Sequence, residues 1–295
     1  MRNESISLMT PITISPYERQ HRETVLNLIF YSEHSHSHLD WYRVGHWLDT
    51  DEGVCQLAWQ GDDLLGVIGI SENIEQTAWL RLLALSNRVP DDEILPPLWA
   101  SLEGYLREQG EIEALFVLSL QGWLIPYLRD VMHFSFMEEV ITLQRDRQTL
   151  PPAPQNRAYE IRDAFLADLP EILYVDQHSF IPPWQLSYHD LYQAQRHAAN
   201  FTVAVREHQI IGYQLSTRYH ESGHLARLAV HHDYQGQGIG RGLVYAMLES
   251  MFRGRVKIVT VNTQASNKVS QHLYESLQFK RNGFDLPIWR YDLNR

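Results

Sequence analysis

The sequence predicts a mixed α/β fold made of two similar tandem units. A polar, proline-rich segment divides the 295 residues near the middle, and the same order of strand and helix patterns appears on both sides. Landmark residues also repeat at a fixed offset, since Gly66 and Gly212 differ by 146 positions, as do Arg81 and Arg227. A repeated element order with a constant offset is typical of a duplicated structural unit.

Each half is predicted to contain a hairpin, a third strand, a helix and a fourth strand. In the first half these are "VCQLAWQ" and "LLGVIGI", then "TAWLRLLAL", a helix over about Pro97–Glu108, and "EALFVLSL". In the second half they are "FTVAV" and "IIGYQLS", then "HLARLAV", a helix from Ile239 to about Phe252, and "VKIVTV". Strand and helix periodicities alternating in this way favour an α/β architecture with a mixed sheet.

The segment between the halves predicts a linker over 148–156 and domains over 1–147 and 157–295. The net charge of −11 is unevenly divided between them. Residues 1–150 carry 23 acidic side chains against 10 arginines, whereas residues 151–295 carry 13 acidic and 15 basic side chains. The acidic first half argues against broad binding of nucleic acid, which needs positive charge. An anionic ligand is therefore expected in the second half.

Composition predicts a soluble protein of the cytoplasm. Hydrophobic residues make up 44% and charged residues 21% of the chain, as in globular proteins. The longest apolar run, Leu64–Ile70, is too short to span a membrane, and the first residues lack the order of a signal peptide. Cys55 is the only cysteine, so no intrachain disulfide can form, and we expect it to be a small buried hydrophobe. Either a monomer or a homodimer fits the sequence.

The most informative motif is "QGQGIG", residues Gln235–Gly240, between a strand pattern and an amphipathic helix pattern. Its glycine spacing differs from the dinucleotide fingerprint and from the P-loop. Glycines let a ligand approach the backbone closely, and a helix N-terminus offers unpaired N–H groups with partial positive charge. With Arg241 in the first helical turn, the segment predicts a phosphate site. The alternative is a plain glycine-rich turn between a strand and a helix.

Two segments resemble the GNAT N-acetyltransferase superfamily. "RLAVHHDYQGQGIGRGLV" is similar to its acyl-CoA-binding core, and "NTQASNKVSQHLYESLQF" is similar to the segment that follows. Asn267, Leu273, Tyr274 and Phe279 fill the positions of the second pattern, whereas Gln278 stands where glycine is usual. The resemblance implies a GNAT fold and acetyl-CoA as cosubstrate.

The resemblance covers residues 157–292, while over 10–145 it rests on the repeat alone. It therefore implies a tandem GNAT protein with a degenerate first copy. At the offset of 146, the glycine motif falls on "VPDDEI", residues 89–94, where a proline removes an N–H and three carboxylates would repel a pyrophosphate. At an offset of 145, Arg129 takes the place of Tyr274. The first half is expected to pack and to line the substrate cleft, without binding CoA.

The implied activity is transfer of an acetyl group to the primary amine of a small molecule or of a peptide N-terminus, by direct attack on the thioester. The pantetheine arm is implied to lie along the end of the strand before the glycine motif, where a backbone amide polarises the thioester carbonyl. No metal, nucleic acid or membrane is implied. The implied cofactor-binding residues are Leu228, Ala229, Val230, Gln235, Gly236, Gln237, Gly238, Ile239, Gly240, Arg241 and Asn267.

Tyr274 is implied to be the general acid, because a phenol can donate a hydrogen bond or a proton to the departing thiolate. Helical spacing predicts a buried stripe of Val269, Leu273 and Leu277, with Tyr274 turned away from it. The alternative is an aromatic side chain that only lines the CoA tunnel.

The general base is left open by the sequence. Asn262 stands at about the position where many relatives have a glutamate, and an amide cannot accept the proton, although it can orient a water molecule. His231, His220, Glu221 and His224 are other candidates. Without an acid at Asn262, a CoA-binding sensor that has lost catalysis remains the alternative function.

Two further segments have alternative interpretations. "SFIPPWQLS", residues 179–187, resembles the acceptor loop of ribosomal-protein alanine N-acetyltransferases, in which Trp184 would pack on the substrate; an ordinary structural loop is the alternative. In "EHSHSHLDW", His34, His36 and His38 have a spacing found in some metal sites. No second pair of ligands accompanies them, so a solvated or cleft-lining loop is expected.

Overall fold

The computed structural model describes residues 10–50, 52–154 and 158–294, which form the predicted mixed α/β fold. The strands are β1 (Ile12–Pro16), β2 (His34–Ser37), β3 (Val54–Gln60), β4 (Asp63–Ile70), β5 (Thr77–Leu85), β6 (Ala114–Leu118), β7 (Ser135–Asp146), β8 (Glu160–Asp163), β9 (Asn200–Arg206), β10 (Gln209–Tyr219), β11 (Ser222–Val230), β12 (Ile258–Gln264) and β13 (Lys280–Asp292). The α-helices are α1 (Arg22–Tyr31), α2 (Val44–Trp47), α3 (Asp91–Gln109), α4 (Leu124–Asp130), α5 (Leu169–Gln177), α6 (Tyr188–His197), α7 (Ile239–Arg253) and α8 (Lys268–Ser276).

The strands and helices predicted in both halves are confirmed, and the largest displacement of a boundary is at the start of α3. Helix α3 begins at Asp91 rather than near Pro97, with Pro90 at the N-cap position. The side chains of Asp91, Asp92 and Glu93 put negative charge into the first turn, where the helix dipole favours it. Pro96 and Pro97 therefore lie inside this helix and not at its start.

The two compact units do not follow the predicted linker. Unit 1 consists of the residues up to Met137 together with those from Ile288 onward, and unit 2 of Glu138–Pro287. Residues 138–147, predicted in the first domain, belong to unit 2, and the chain from Ile288, predicted in the second domain, belongs to unit 1. Residues 155–157, at the end of the predicted linker and the start of the second domain, lie outside the described residues.

Each unit completes its sheet with a strand from the other half of the sequence, an arrangement that we call the strand exchange. In unit 1, residues 288–292 of β13 pair antiparallel with β6. In unit 2, residues 140–146 of β7 pair antiparallel with β12. The predicted domains differ from the compact units because backbone pairing of these strands outweighs their order in the sequence.

Unit 2 contains a sheet with the strand order β7-β12-β11-β10-β9-β8. Only β11 and β12 are parallel neighbours in it. Helix α7 connects these two strands and packs on the sheet through an apolar face. The buried side chains of this face include Ile239, Leu243, Val244, Met247 and Met251.

Unit 1 contains a sheet with the order β1-β3-β4-β5-β6-β13, to which β2 is added along β5. The parallel pairing of β5 with β6 ends at Trp79 and Phe116. In unit 2 the parallel pairing of β11 with β12 ends at Leu225 and Val261, at offsets of 146 and 145 from those residues. The two units therefore share the repeat that the sequence predicted.

The expectation of a loop at the histidine segment is wrong. His34–Ser37 form β2 and pair antiparallel with Leu82–Leu85 of β5. His36 is fully buried, and its Nδ1 lies 2.9 Å from Oε1 of Gln121. Backbone hydrogen bonds to β5 determine this conformation. A segment of four residues is too short for its periodicity to predict such a pairing.

Two expectations from composition concern Cys55 and membranes. The Cys55 thiol is partly buried, and burial raises its pKa to about 12. It therefore stays protonated at neutral pH. Among the helices of the described ranges, none combines the length and the apolarity that a membrane span requires.

Candidate active site

A groove begins where β11 and β12 separate. Their parallel register ends at Leu225 and Val261, although β11 continues to Val230 and β12 continues to Gln264. On its other side β11 remains paired with β10 as far as Val230. Residues 226–230 therefore have a backbone edge, facing away from β10, that β12 does not cover; we call it the open edge.

A β-bulge lies at the start of the open edge. Leu215 of β10 pairs with Arg227, and the next residue, Ser216, pairs with Leu225, so Ala226 is the extra residue. Bulges re-aim backbone groups and are frequent beside active sites. Here the bulge changes the direction of the backbone N–H groups of β11 at the point where β11 and β12 diverge.

The glycine motif follows the open edge and forms the start of α7. Gly236 and Gly238 have φ angles of +73° and +78°, which favour glycine. A Cβ atom at either position would meet no heavy atom within 4 Å, so both face open space. The first hydrogen bond of the helix runs from the Gly242 N–H to the Gly238 carbonyl at 2.9 Å. The N–H groups that precede it in the first turn have no acceptor within the helix.

Side chains of the motif fasten the loop instead of extending into the groove. Gln235 Nε2 donates to the Val230 carbonyl at 3.0 Å, and Gln237 Nε2 donates to the Asp233 carbonyl at 3.4 Å. Arg241 donates to Ser276 Oγ at 3.0 Å. The ligand-binding capacity of this loop therefore resides mainly in its backbone N–H groups.

The remaining predicted cofactor residues lie around Gly240 or cap α8. A Cβ atom at Gly240 would stand 3.5 Å from Leu273, 3.7 Å from Val230 and 3.9 Å from Leu228. These contacts bring the glycine helix, the end of β11 and helix α8 together at one place. Ala229 is buried in the strand. Asn267 is the N-cap of α8, and its Oδ1 accepts a hydrogen bond from the Ser270 N–H at 3.0 Å.

Tyr274 is buried, contrary to the predicted stripe of α8. Val269, expected inside, is 80% exposed, whereas Tyr274 is 4% exposed. It belongs to the apolar cluster that includes Leu225 and Val261, the residues at which the groove begins. Burial raises the pKa of the Tyr274 phenol, so the group remains a proton donor at neutral pH. Leu277 is buried as predicted, whereas the prediction is wrong for Val269 and Tyr274, because α8 is short and buries the face that carries Tyr274 and Leu277.

Asn262 is exposed on β12, and its Oδ1 accepts a hydrogen bond from Thr142 Oγ1 at 3.0 Å. Among the other base candidates, His224 contacts Thr260 Oγ1 at 2.9 Å through Nδ1. Glu221 forms an ion pair with Lys257 at 2.6 Å and lies at the opposite end of β11 from the glycine motif. Geometry thus disfavours Glu221 as the base.

Comparison with known proteins relates the residues of this groove to a family. Residues 167–279 match the acetyltransferase (GNAT) family. The chain therefore carries a domain of the GNAT family. The match covers the glycine motif, the open edge and Tyr274.

Relatives found by sequence are N-terminal acetyltransferases. Human N-alpha-acetyltransferase 30 is 39% identical over 72 residues, which are 24% of this chain and 19% of that protein. The ribosomal protein bS18-alanine N-acetyltransferase of Escherichia coli is 28% identical over 112 residues, 38% of this chain and 74% of that protein. Each of these matches thus covers less than half of this chain.

Solved structures are similar over nearly the whole chain. A tandem GNAT protein from the clavulanic acid biosynthesis pathway has a TM-score of 0.66 at 15% identity, covering 96% of this chain and 98% of that one. A probable N-acyltransferase of Enterococcus faecalis has a TM-score of 0.70 at 9% identity, covering 96% and 73%. At these identities the likeness establishes the fold of the chain, and a tandem GNAT arrangement is among the folds it matches.

One departure from the GNAT pattern has a structural consequence. Gln278, where the superfamily usually has glycine, has a φ angle of +66°, which is unfavourable for a residue with a Cβ atom. Its Oε1 accepts a hydrogen bond from the buried Arg145 guanidinium at 2.8 Å. The same guanidinium donates to the Leu277 carbonyl at 2.6 Å. These contacts hold the turn in the conformation that glycine would adopt more easily.

Sequence reasoning missed a buried ion pair beside the bulge of the GNAT domain. Arg227 donates from Nε and from one terminal nitrogen to the Asp176 carboxylate, each at 2.8 Å. Tyr213 Oη donates to the same carboxylate at 2.6 Å. The guanidinium also donates to the Trp184 carbonyl and lies 3.7 Å from the centre of the Phe180 ring. The recurrence of arginine at 81 and 227 was the one signal in the sequence.

The Asp176 carboxylate also fixes the segment between α5 and α6. It accepts a hydrogen bond from the Leu186 N–H at 2.9 Å. Through Arg227 and Asp176, both ends of the segment Phe180–Leu186 are held against β11, next to the bulge. The predicted acceptor loop is therefore tied to the strand that carries the open edge.

His231 lies at the end of the open edge in a stack of aromatic rings. Its ring centre is 5.8 Å from Tyr174, 5.6 Å from His178 and 4.3 Å from His232, with near-parallel planes. Burial and the neighbouring histidines lower the pKa of His231. A neutral imidazole is thereby favoured at neutral pH. Ligand atoms of His231, His232 and Asp233 lie within 4.8 Å of one another.

Proposed function

We propose that the GNAT domain transfers an acetyl group from acetyl-CoA to a primary amine, with peptide N-termini as the favoured acceptors. One observation carries the proposal: the open edge of β11 leads directly into the backbone donors at the start of α7. A pantetheine arm resembles a peptide in its amide spacing and can pair with such an edge, while a pyrophosphate suits the helix N-terminus. The relatives named as N-terminal acetyltransferases favour the peptide acceptor.

The chemistry assigned to each group follows from its place. In the proposal, a backbone amide at the bulge, around residues 226–228, polarises the thioester carbonyl as the amine attacks. The buried Tyr274 phenol, which its raised pKa keeps protonated, supplies a hydrogen bond to the departing thiolate. Asn262, exposed on β12, orients a water molecule that takes the proton of the ammonium group. Carbonyl carbon is transferred from sulfur to nitrogen, and free CoA is released.

The test uses the variant Tyr274→Phe in an assay of CoA thiol release with a panel of peptide amines. We expect kcat to fall at least about tenfold, with the Kd for acetyl-CoA unchanged. Tyr219→Phe, at a tyrosine that is 78% exposed, is the matched control and should retain full activity. Unchanged turnover in the Tyr274 variant would remove this residue from the proposed mechanism.

The second candidate function is a CoA-binding sensor without catalysis. It is favoured by Asn262, because an amide hydrogen-bonded to Thr142 cannot accept the proton of the ammonium group. The two functions differ in one measurement on the wild-type chain. Acetyl-CoA binding together with amine-dependent thiol release supports the transferase, whereas binding without release across the amine panel supports the sensor.

A further inference from the structure

The open edge of unit 2 has no partner strand, although side chains of Ser179 and Gln235 donate to its Val230 carbonyl, each at 3.0 Å. In unit 1 the equivalent edge is closed by a strand of the chain itself. In unit 1, β2 pairs with Leu82–Leu85 of β5, on the side opposite β4. The His38 N–H continues this pairing with a hydrogen bond of 2.9 Å to the Arg81 carbonyl. Subtraction of the 146 offset from the open edge, residues 226–230, gives residues 80–84. The segment 34–38 thus occupies the equivalent place.

Burial agrees with this difference. Leu82 and Ala84 of unit 1 have no exposed surface, whereas their equivalents Leu228 and Val230 in unit 2 are partly exposed. The helix N-terminus of unit 1 also carries a carboxylate, because Asp91 is the first residue of α3. This carboxylate contacts His34 and accepts a hydrogen bond from Tyr127 Oη at 2.9 Å.

The segment that closes the edge in unit 1 has a counterpart in unit 2. It lies between helices α1 and α2, and the matching segment lies between α5 and α6, where the sequence reads "FIPPW" instead of "HSHSH". Proline has no N–H and cannot donate to a neighbouring strand. In an antiparallel pair, residues alternate between donating to the partner strand and facing away from it. One of two consecutive prolines therefore falls at a donor position in any register.

We propose that Pro182 and Pro183 keep the open edge of β11 available to acetyl-CoA by preventing the α5–α6 segment from pairing with it. Unit 1, which has no proline in the matching segment, has closed the same edge with β2. The proposal rests on the proposed function for the identity of the ligand. Its structural part, the accessibility of a strand edge, is independent of that function.

The test transplants the unit 1 segment into unit 2. One variant carries Phe180→His, Ile181→Ser, Pro182→His, Pro183→Ser and Trp184→His, and the matched control carries the same substitutions except those of the two prolines. Acetyl-CoA binding is measured by calorimetry. We expect the Kd of the variant without prolines to rise at least about tenfold above that of the control. Equal affinity of the two variants would overturn the proposal.

Amide hydrogen exchange without ligand separates this proposal from the proposed function. The amides of Leu228 and Val230, which face away from β10, should exchange more slowly in the variant without prolines than in the control, because they gain a partner strand. Faster exchange throughout unit 2 would identify a folding defect. The same measurement is made on His36→Pro, which places a proline at a donor position of β2, because His36 alternates in register with His38, whose N–H donates to the Arg81 carbonyl. This variant should show faster exchange over 81–85, and no change there would refute the proposal. If wild-type protein fails to bind acetyl-CoA, the exchange result still decides the role of the prolines.

Discussion

Acidification should lower the free energy of unfolding of unit 1 through the protonation of a single buried histidine. His36 of β2 is fully buried, and burial lowers the pKa of its imidazole from 6.5 to about 4. Because the folded state disfavours the proton, its contribution to stability is complete above pH 6.5 and is lost as the pH falls towards 4. Between pH 7 and pH 5 this one group should remove about 2 kcal/mol from the free energy of unfolding.

Urea denaturation at pH 7 and pH 5 measures this effect. The variant His36→Gln has no proton to gain, so the pH-dependent loss of its unfolding free energy should be smaller than that of the wild type by about 2 kcal/mol. His46→Gln, at an exposed histidine of the same unit, is the control and should behave as the wild type. If the unfolding free energy of His36→Gln falls on acidification as much as that of the wild type, protonation of His36 is not the cause of the loss.

The remaining predictions concern the GNAT domain. Gly238→Ala should weaken acetyl-CoA binding about tenfold in calorimetry, because a φ of +78° costs a non-glycine residue about 1–2 kcal/mol. The control Gly240→Ala, whose Cβ meets only ordinary contacts, should bind acetyl-CoA with the affinity of the wild type. Equal losses of affinity in the two variants would contradict this reasoning. Asp176→Asn should lower the free energy of unfolding by about 3–5 kcal/mol, since it leaves the buried Arg227 charge uncompensated. Tyr213→Phe, which removes one hydrogen bond to the same carboxylate, should cost only about 1 kcal/mol; similar losses in both variants would show that charge is not the cause.

Sequence patterns over short segments predicted the secondary structure that depends on neighbouring residues. The hairpins, the parallel strands and helix α7 follow from apolar periodicity, and the loop before α7 follows from glycine spacing that few other functions use. The positive φ angles at Gly236 and Gly238 explain why glycine is favoured at these two positions of the motif. The family resemblance then implied the place of Tyr274, but the face that α8 buries was predicted wrongly, because nine residues give too few turns for a reliable stripe.

Features that depend on partners distant in sequence were not predictable. Strand β2 reads as alternating serine and histidine, and only the edge of β5 makes it a strand. Asp176 and Arg227 are separated by 51 positions, and neither residue stands in a motif. The pairing of β7 with β12 and of β13 with β6 likewise has no local signature, so the sequence placed the domain boundaries at the proline-rich segment.

The strand exchange determines when unit 1 can be completed during synthesis. Strand β6 is made early, but residues 288–292, which pair with it, leave the ribosome only after nearly all of unit 2. During synthesis, one edge of β6 therefore lacks its partner strand until the GNAT domain has left the ribosome. For the same reason, a cut in the proline-rich segment would leave two fragments that each lack a strand of their own sheet, and neither would be an independent domain.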